Sequence, residues 1–247
     1  MKKILQKLFI IKKRNIAIVR FKILMQVFKH AVILAAGRGV RMMPLTKKIP
    51  KALVKVKDET LILGGIKKVK KFIQNIHITV GYKGSAIAQH VIQNNVSSVI
   101  NTNGKGNAWW IFNFPFNIMD EPIVVLTCDN ITSVNFELIE KDYLRQKCPP
   151  CMVVPVKPVE GLDGDFIHKQ NDKVNSLSRT KYSDIYCSGI QIINPKKINQ
   201  LIKKTQDFNI LWKRLMAQKK LHVSKVVPKK WFTIDSVNQL NLFKKNL

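Results

Sequence analysis

AVILAAGRGVRMMPLTKKIPKAL, residues 31–53, is the stretch whose reading decides the fold. Its first five residues are a short apolar run, which reads as a strand buried on both faces. A glycine-rich turn follows at once. Gly37 and Gly39 let the backbone turn sharply and aim successive N–H groups at an anion with no Cβ in the way. This is not a Walker A loop, because no Gly-Lys-Ser/Thr follows, and the third glycine of GxGxxG is missing. A lone Gly-x-Gly is weak evidence; Arg41 and Pro50-Lys51 strengthen it. The planar fork of Arg41 suits paired phosphate oxygens, and Lys51 adds a compact positive charge.

Working outward, composition bounds the rest. A chain of 247 residues, 46% of them hydrophobic, can bury a full core as one α/β domain. The formal net charge of +28 favours polyanions, whether nucleotide phosphate, nucleic acid or anionic membrane, and charge alone does not choose among them. No apolar run reaches the ~18 uncharged residues of a membrane span, because Lys and Arg interrupt the most hydrophobic candidate, residues 4–24. Residues 1–24 are basic and have no signal-peptide cleavage site. They read as an extension ahead of a single domain at 25–247, or as a segment in weak contact with anionic lipid. The protein is expected in the cytoplasm. Its four cysteines then need not pair, and Cys148-Pro-Pro-Cys151 precedes a strand-like MVVPV where a redox motif needs a helix.

From residue 31 onward, short β-rich runs alternate with helical ones, as a doubly wound sheet requires. Strands are expected at 31–35, 76–80, 96–100 and 123–127, with helices at 61–73, 85–93, 107–117 and 135–144. The runs at 152–156, 165–169 and 174–178 read as a more polar antiparallel edge over a site. Residues 187–193 return to a buried strand, helices follow from Pro195 and over 208–218, and 221–226 with 231–234 close the sheet. The expected fold is α/β: a Rossmann-like, three-layer, mixed and mainly parallel sheet with helices on both faces.

Asp129 ends the apolar run IVVLTCDN, at the carboxyl end of a strand, where open α/β sheets bind ligands. A carboxylate there suits Mg²⁺ on a nucleotide phosphate, or else caps a turn with Asn130. Asp235, in WFTIDS, either joins it as a metal ligand or caps a helix over 237–244, a role Ser236 can equally fill. Trp109 and Trp110 open an apolar segment and read as core before they read as an aromatic box for a quaternary ammonium. Asp163-Gly-Asp165 reads as a turn. The five histidines show no metal-ligand spacing, and no Ser/His/Asp set assembles along the chain.

LAAGxGxRxxPLTxxxPKxL resembles the signature of the nucleotidyltransferases that join a nucleoside triphosphate to a sugar 1-phosphate or a related phosphorylated acceptor. Thinner markers extend the likeness over 26–244: Val80-Gly-Tyr-Lys-Gly, Asp129-Asn130, Ser188-Gly-Ile and 231–240. The resemblance implies the nucleotide-diphospho-sugar transferase fold, with no added acyltransferase or β-helix domain. It places Arg41 on the leaving phosphates, Lys51 near the α-phosphate and acceptor phosphate, and Mg²⁺ on Asp129 and Asp235. It places the nucleotide against Ala35, Ala36, Gly37, Gly39, Gly81, Tyr82, Asn101 and Gly106, and the acceptor against Lys181, Ser188 and Gly189. Three departures stand out. Thr233 occupies the position of a carboxylate in many sugar-nucleotide members, and the Ile-Asp-Ser order is instead similar to that of bacterial phosphocholine cytidylyltransferases. Asn101 replaces a base-reading Gln, and Lys181 lacks its usual Glu-Lys-Pro context.

The expected reaction is a single in-line displacement at the α-phosphorus that releases pyrophosphate, with a sugar 1-phosphate as acceptor and surface-polysaccharide precursors as the use. Three alternatives remain at this level: phosphocholine as acceptor, a nucleotide-binding homologue weakened in transfer, and a nucleic-acid or membrane-surface protein, for which charge is the only motive. No specific nucleic-acid partner is expected.

Overall fold

A computed structural model describes residues 26–245, so the basic segment 1–24 lies outside the described residues. Strand β1 (His30–Leu34) is followed by a small hairpin of β2 (Lys55–Val56) and β3 (Glu59–Thr60), then α1 (Leu61–Lys70), β4 (Asn75–Val80), α2 (Gly84–Ile92), β5 (Ser98–Asn101) and β6 (Ile123–Thr127). The second half runs β7 (Asn130–Thr132), α3 (Phe136–Arg145), β8 (Cys151–Val156), β9 (Phe166–Gln170), β10 (Lys173–Ser178), β11 (Tyr186–Ile193), α4 (Pro195–Leu201), α5 (Phe208–Ala217), β12 (Leu221–Val223), β13 (Trp231–Thr233) and α6 (Val237–Lys245).

One nine-stranded mixed sheet carries the domain, in the order β5-β4-β1-β6-β11-β8-β12-β10-β9. Strands β5, β4, β1 and β6 are parallel to one another, and β11 enters antiparallel to β6. Alternation along each central strand divides the core in two. Ala31 and Ile33 of β1, Val124 and Leu126 of β6, and Ile190 and Ile192 of β11 meet α1, α2 and α3 on one face. Val32, Val125, Val153 and Ile193 meet α4, α5 and the segment at Trp110 on the other. Both faces are dry, so these strands read as unbroken apolar runs rather than alternating ones. Helix starts are capped locally: the Asn135 side chain accepts from Leu138 N–H at 3.0 Å, and Asn194 from Lys197 N–H at 2.9 Å with Pro195 at the first helical position.

Three expectations need correction. Residues 107–117 form no α-helix; two short 3₁₀ turns, Trp109–Phe112 and Phe116–Ile118, stand there instead. Pro115 has no N–H to donate and its ring blocks the preceding turn, while Trp110 and Phe116 still pack edge to face into the core. The run at 152–156 is no polar edge: all of β8 is buried between β11 and β12. Its Pro155 is tolerated because it sits beside the irregularity in β11 between Cys187 and Gln191. Only β9 and β10 make the polar antiparallel margin. Finally, β13 does not close the large sheet but pairs with β7 in a two-stranded ladder of its own.

Candidate active site

The carboxyl ends of β1, β4 and β6 converge at the glycine loop. Ala35 N–H donates to Thr79 O at 3.0 Å and Cys128 N–H to Leu34 O at 3.1 Å, which holds the neighbouring strands against β1 as the chain leaves the sheet. Gly39 then adopts φ +62°, and a Cβ there would lie 2.9 Å from Lys51 Cβ and 3.1 Å from Thr46 Cγ2. Only glycine lets the loop close on Lys51 in this way. Thr46 Oγ1 ties the turn by donating to Gly39 O at 2.8 Å.

The Lys51 side chain keeps only 10% of its full exposure, which is expensive for a lone ammonium. It is not alone. Its Nζ donates to the Asp129 carboxylate and to Asp235 Oδ1 at 2.6 Å, and Arg41 Nη2 reaches the same Asp235 oxygen at 3.1 Å. The ladder between β7 and β13 makes this meeting possible: Thr233 pairs with Asn130, and Ile234 N–H donates to Asp129 O at 3.3 Å, so Asp235 emerges beside Asp129. Ser236, not Asp235, caps α6, since its hydroxyl accepts from Gln239 N–H at 3.2 Å. The Gln239 side chain reaches back to Asp235 N–H at 2.7 Å. The Asp235 carboxylate is thereby left free to face Lys51, and Thr233 Oγ1 lies 3.4 Å from its other oxygen.

Burial alone would lower the Lys51 pKa, but the charges of Asp129 and Asp235 outweigh it and hold the ammonium above the ordinary lysine value. Burial likewise pushes against the Asp235 carboxylate, and Lys51 with Arg41 overcomes it, keeping Asp235 below the usual carboxylate range. Cys128, next to Asp129, is pushed up to about 12 by burial and is no thiolate.

On one side of this cluster lies a cleft lined by Ala36, Gly37, Arg38, Gly81, Tyr82 and Gly106 among others. The Arg38 guanidinium stands 5.4 Å from the centre of the Tyr82 ring, and Tyr82 N–H donates to Ala36 O at 3.1 Å. Three expected contributors do not line it: Gly39 turns beneath the loop against Lys51 and Thr46, and Ala35 and Asn101 are committed elsewhere. Ala35 is buried and its N–H already serves Thr79, while Asn101 is exposed and uses Oδ1 to accept from Asn103 N–H at 3.0 Å. Strand alternation at the end of β5 turns Thr102 inward in place of Asn101.

On the other side a cavity of about 400 Å³ runs from Arg41, Asp129 and Asp235 to Gln191 and Trp212. Gly189 lines it with φ +77°; a Cβ would lie 2.9 Å from both Asn130 Nδ2 and Thr127 Oγ1. Ser188 also lines it, but the hydroxyl expected to meet the acceptor is already used: it donates to Val154 O at 2.7 Å and accepts from Ile190 N–H at 3.0 Å. Lys181 is exposed and outside this lining; Arg179, paired with Asp165 at 3.1 Å, lines the cavity instead. Asp163 lines it too and lies 3.9 Å from Arg41, so the 163–165 turn forms part of the wall. Sequence reading passed over Arg179, Trp212 and Gln191. The one available signal was a glutamine inside the apolar run of β11.

The fold and this cluster define an α/β sheet protein that gathers cations and paired carboxylates at the carboxyl ends of its parallel strands, where open sheets of this kind bind ligands. Residues 30–161 match the sequence model described as nucleotidyl transferase, and the chain belongs to that family. It is 26% identical over 183 residues to the bifunctional protein GlmU of Methanocaldococcus jannaschii, covering 71% of this chain and 42% of that one. It is 51% identical over 53 residues to the choline-phosphate cytidylyltransferase of Streptococcus pneumoniae, covering 21% of this chain and 23% of that one. Among solved structures, the inositol-1-phosphate CTP transferase from T. maritima superposes with a TM-score of 0.73 at 14% identity, covering 87% of this chain and 92% of that one. The chain spans less than half the length of the curated relatives it matches. Among the described residues no helix is long and apolar enough to cross a membrane.

Proposed function

We propose that this chain transfers a nucleoside monophosphate from a nucleoside triphosphate to a sugar 1-phosphate, releasing pyrophosphate, with Mg²⁺, in the cytoplasm and for surface-polysaccharide precursors. The observation that carries the reading is Lys51 held between Asp129 and Asp235, with Arg41 on the same carboxylate, beside the Gly39 loop. An acceptor phosphate is already anionic near pH 7, so no general base is required. The barrier lies in bringing two phosphates together and stabilising the one that leaves. Lys51 and Arg41 supply positive charge where it develops, and the loop N–H groups of Gly37 and Gly39 orient the phosphates. Thr233 stands where many sugar-nucleotide members carry a carboxylate, but its hydroxyl beside Asp235 supports that ligand rather than replacing it.

The residues fit a hard divalent cation. Among the described residues no group of three or more His, Cys, Asp and Glu side chains forms a cage, and a cage is not what Mg²⁺ asks for: one or two carboxylates with waters and phosphate oxygens suffice. Asp129 and Asp235 converge on one cation already, and they are left without a countercharge when Lys51 and Arg41 turn to incoming phosphates. Mg²⁺ bound there would neutralise phosphate charge. The test is pyrophosphate release from each of the four ribonucleoside triphosphates, with sugar 1-phosphates or phosphocholine, with and without Mg²⁺. Release that depends on both acceptor and Mg²⁺ is expected; triphosphate turnover indifferent to acceptor sinks the reading.

A further inference from the structure

Gln191 is the one residue on the second face of β11 that breaks its apolar pattern: it pairs with Val125 on one side and Val153 on the other, both core residues of that face. The residue is 5% exposed, yet it lines the cavity beside Asp129 and Asp235. Trp212 Nε1 donates to Gln191 Oε1 at 2.9 Å, and Cys151 Sγ lies 3.6 Å from the same oxygen. An indole nitrogen donates and never accepts, so the amide oxygen must face Trp212. The NH₂ group therefore points away from it, and among the described residues it has no protein acceptor. An amide held in one orientation at the cavity wall, its oxygen committed and its two donors free toward the cavity, is shaped for a ligand that brings oxygen.

We infer that Gln191 reads an oxygen of the acceptor, a hydroxyl or ring ether remote from its phosphate, and so selects a polyhydroxylated phosphate ester over one that ends in a trimethylammonium group. This rests on the transfer reading above. A quaternary ammonium presents only methyl groups, which would leave the Gln191 donors buried and unsatisfied, whereas a sugar or cyclitol ring satisfies them. Sites built around a hydrogen bond to a substrate hydroxyl reject analogues lacking it far more strongly than apolar pockets reject a missing methylene. The fixed oxygen sharpens the choice, because the amide cannot flip to offer an acceptor without leaving Trp212 facing another donor.

The experiment compares glucose 1-phosphate, inositol 1-phosphate and phosphocholine, by calorimetric binding and by pyrophosphate release, in the full chain and in two variants. Gln191→Met removes the donors and the Trp212 partner. Gln191→Glu keeps the size and the Trp212 partner but exchanges the NH₂ for an oxygen. At least one hydroxylated ester should bind and react at least about 100-fold better than phosphocholine in the wild type. Both variants should raise its KM by about 10- to 100-fold and leave the triphosphate KM unmoved. Equal or better binding of phosphocholine overturns the inference, as does an acceptor KM that neither variant changes. Binding of a hydroxylated ester with this preference, but without pyrophosphate release, overturns the transfer reading and leaves the Gln191 assignment standing.

Discussion

The two ends of the same parallel strands each carry a polar cluster, and the clusters could hardly be balanced more differently. At the amino ends, Glu121, His30, His77 and Ser98 form a line. His30 Nε2 lies 3.1 Å from Glu121, His30 Nδ1 lies 3.0 Å from His77 Nε2, and His77 Nδ1 lies 2.8 Å from Ser98 Oγ. The two imidazoles stack, and Phe116 covers His77 edge-on. Each ring nitrogen has a partner and nothing in the line waits for a ligand. At the carboxyl ends, two carboxylates share Lys51 and one of them also takes Arg41, inside an open cleft. There the partners are cations that phosphate would also attract. A polar cluster that is satisfied internally supports the fold; one held together by groups with a second use marks the site.

The largest expected effect separates the ends by turnover. Lys51→Ala or Asp129→Ala should lower the rate by on the order of 10² to 10⁴, measured as pyrophosphate release at saturating triphosphate. A variant at His77 should leave that rate within a factor of two or so. Near-normal turnover in both cleft variants would erase the contrast.

Next in size is stability without ligand. Lys51→Met leaves two half-buried carboxylates facing each other with only Arg41 beside one of them, a loss of about 2–3 kcal/mol in urea denaturation near pH 7, partly restored by Mg²⁺. Acidification should reduce that loss in the variant, because protonating a carboxylate relieves the repulsion. In the wild type the sign is opposite. Asp235 sits below the ordinary carboxylate value, so its stabilisation is present above that value and fades as pH falls through the folded pKa. Lys51 sits above the ordinary lysine value, so its share is present below that value and fades as pH rises through the folded pKa. A Lys51→Met protein whose stability ignores both pH and Mg²⁺ would mean the carboxylates do not converge.

The smallest effect belongs to the amino ends. Burial, with some help from His30, lowers His77 from 6.5 to about 4, so the unfolded chain takes up a proton that the folded one refuses between those values. Wild-type stability should therefore fall as pH drops through that window. His77→Asn should remove the slope and cost about 1 kcal/mol at pH 7, checked by paired denaturation curves at pH 7 and pH 5. An unchanged slope would place the titration elsewhere.

Much of this was legible in the chain. Buried strands show as apolar runs, and the runs at β1, β4 and β6 fell within a residue or two of their observed bounds. Gly39 and the paired cations of the loop act over a few residues, so local order suffices to read them. What failed did so where a residue has more than one possible partner. Ser188 looked available because its neighbours do not reveal Val154 O, 34 residues away. Asn101 and Thr102 differ only in which way the strand end turns. The helix expected at 107–117 ignored how strongly Pro115 opposes it.

By itself, then, the sequence determined the sheet, the turn and the kinds of charged group at the site, because burial periodicity and backbone freedom are local properties. Tertiary structure alone decided who faces whom. Lys51 lies 78 residues from Asp129 and 184 from Asp235, and only the ladder between β7 and β13 brings the three together. Gln191 became a reader of ligand oxygen only when Trp212, on a helix packed against the sheet, took the amide oxygen and left the donors to the cavity. Polar groups make directional bonds with whatever the fold brings near, so their roles are settled by long-range contacts that no local pattern encodes.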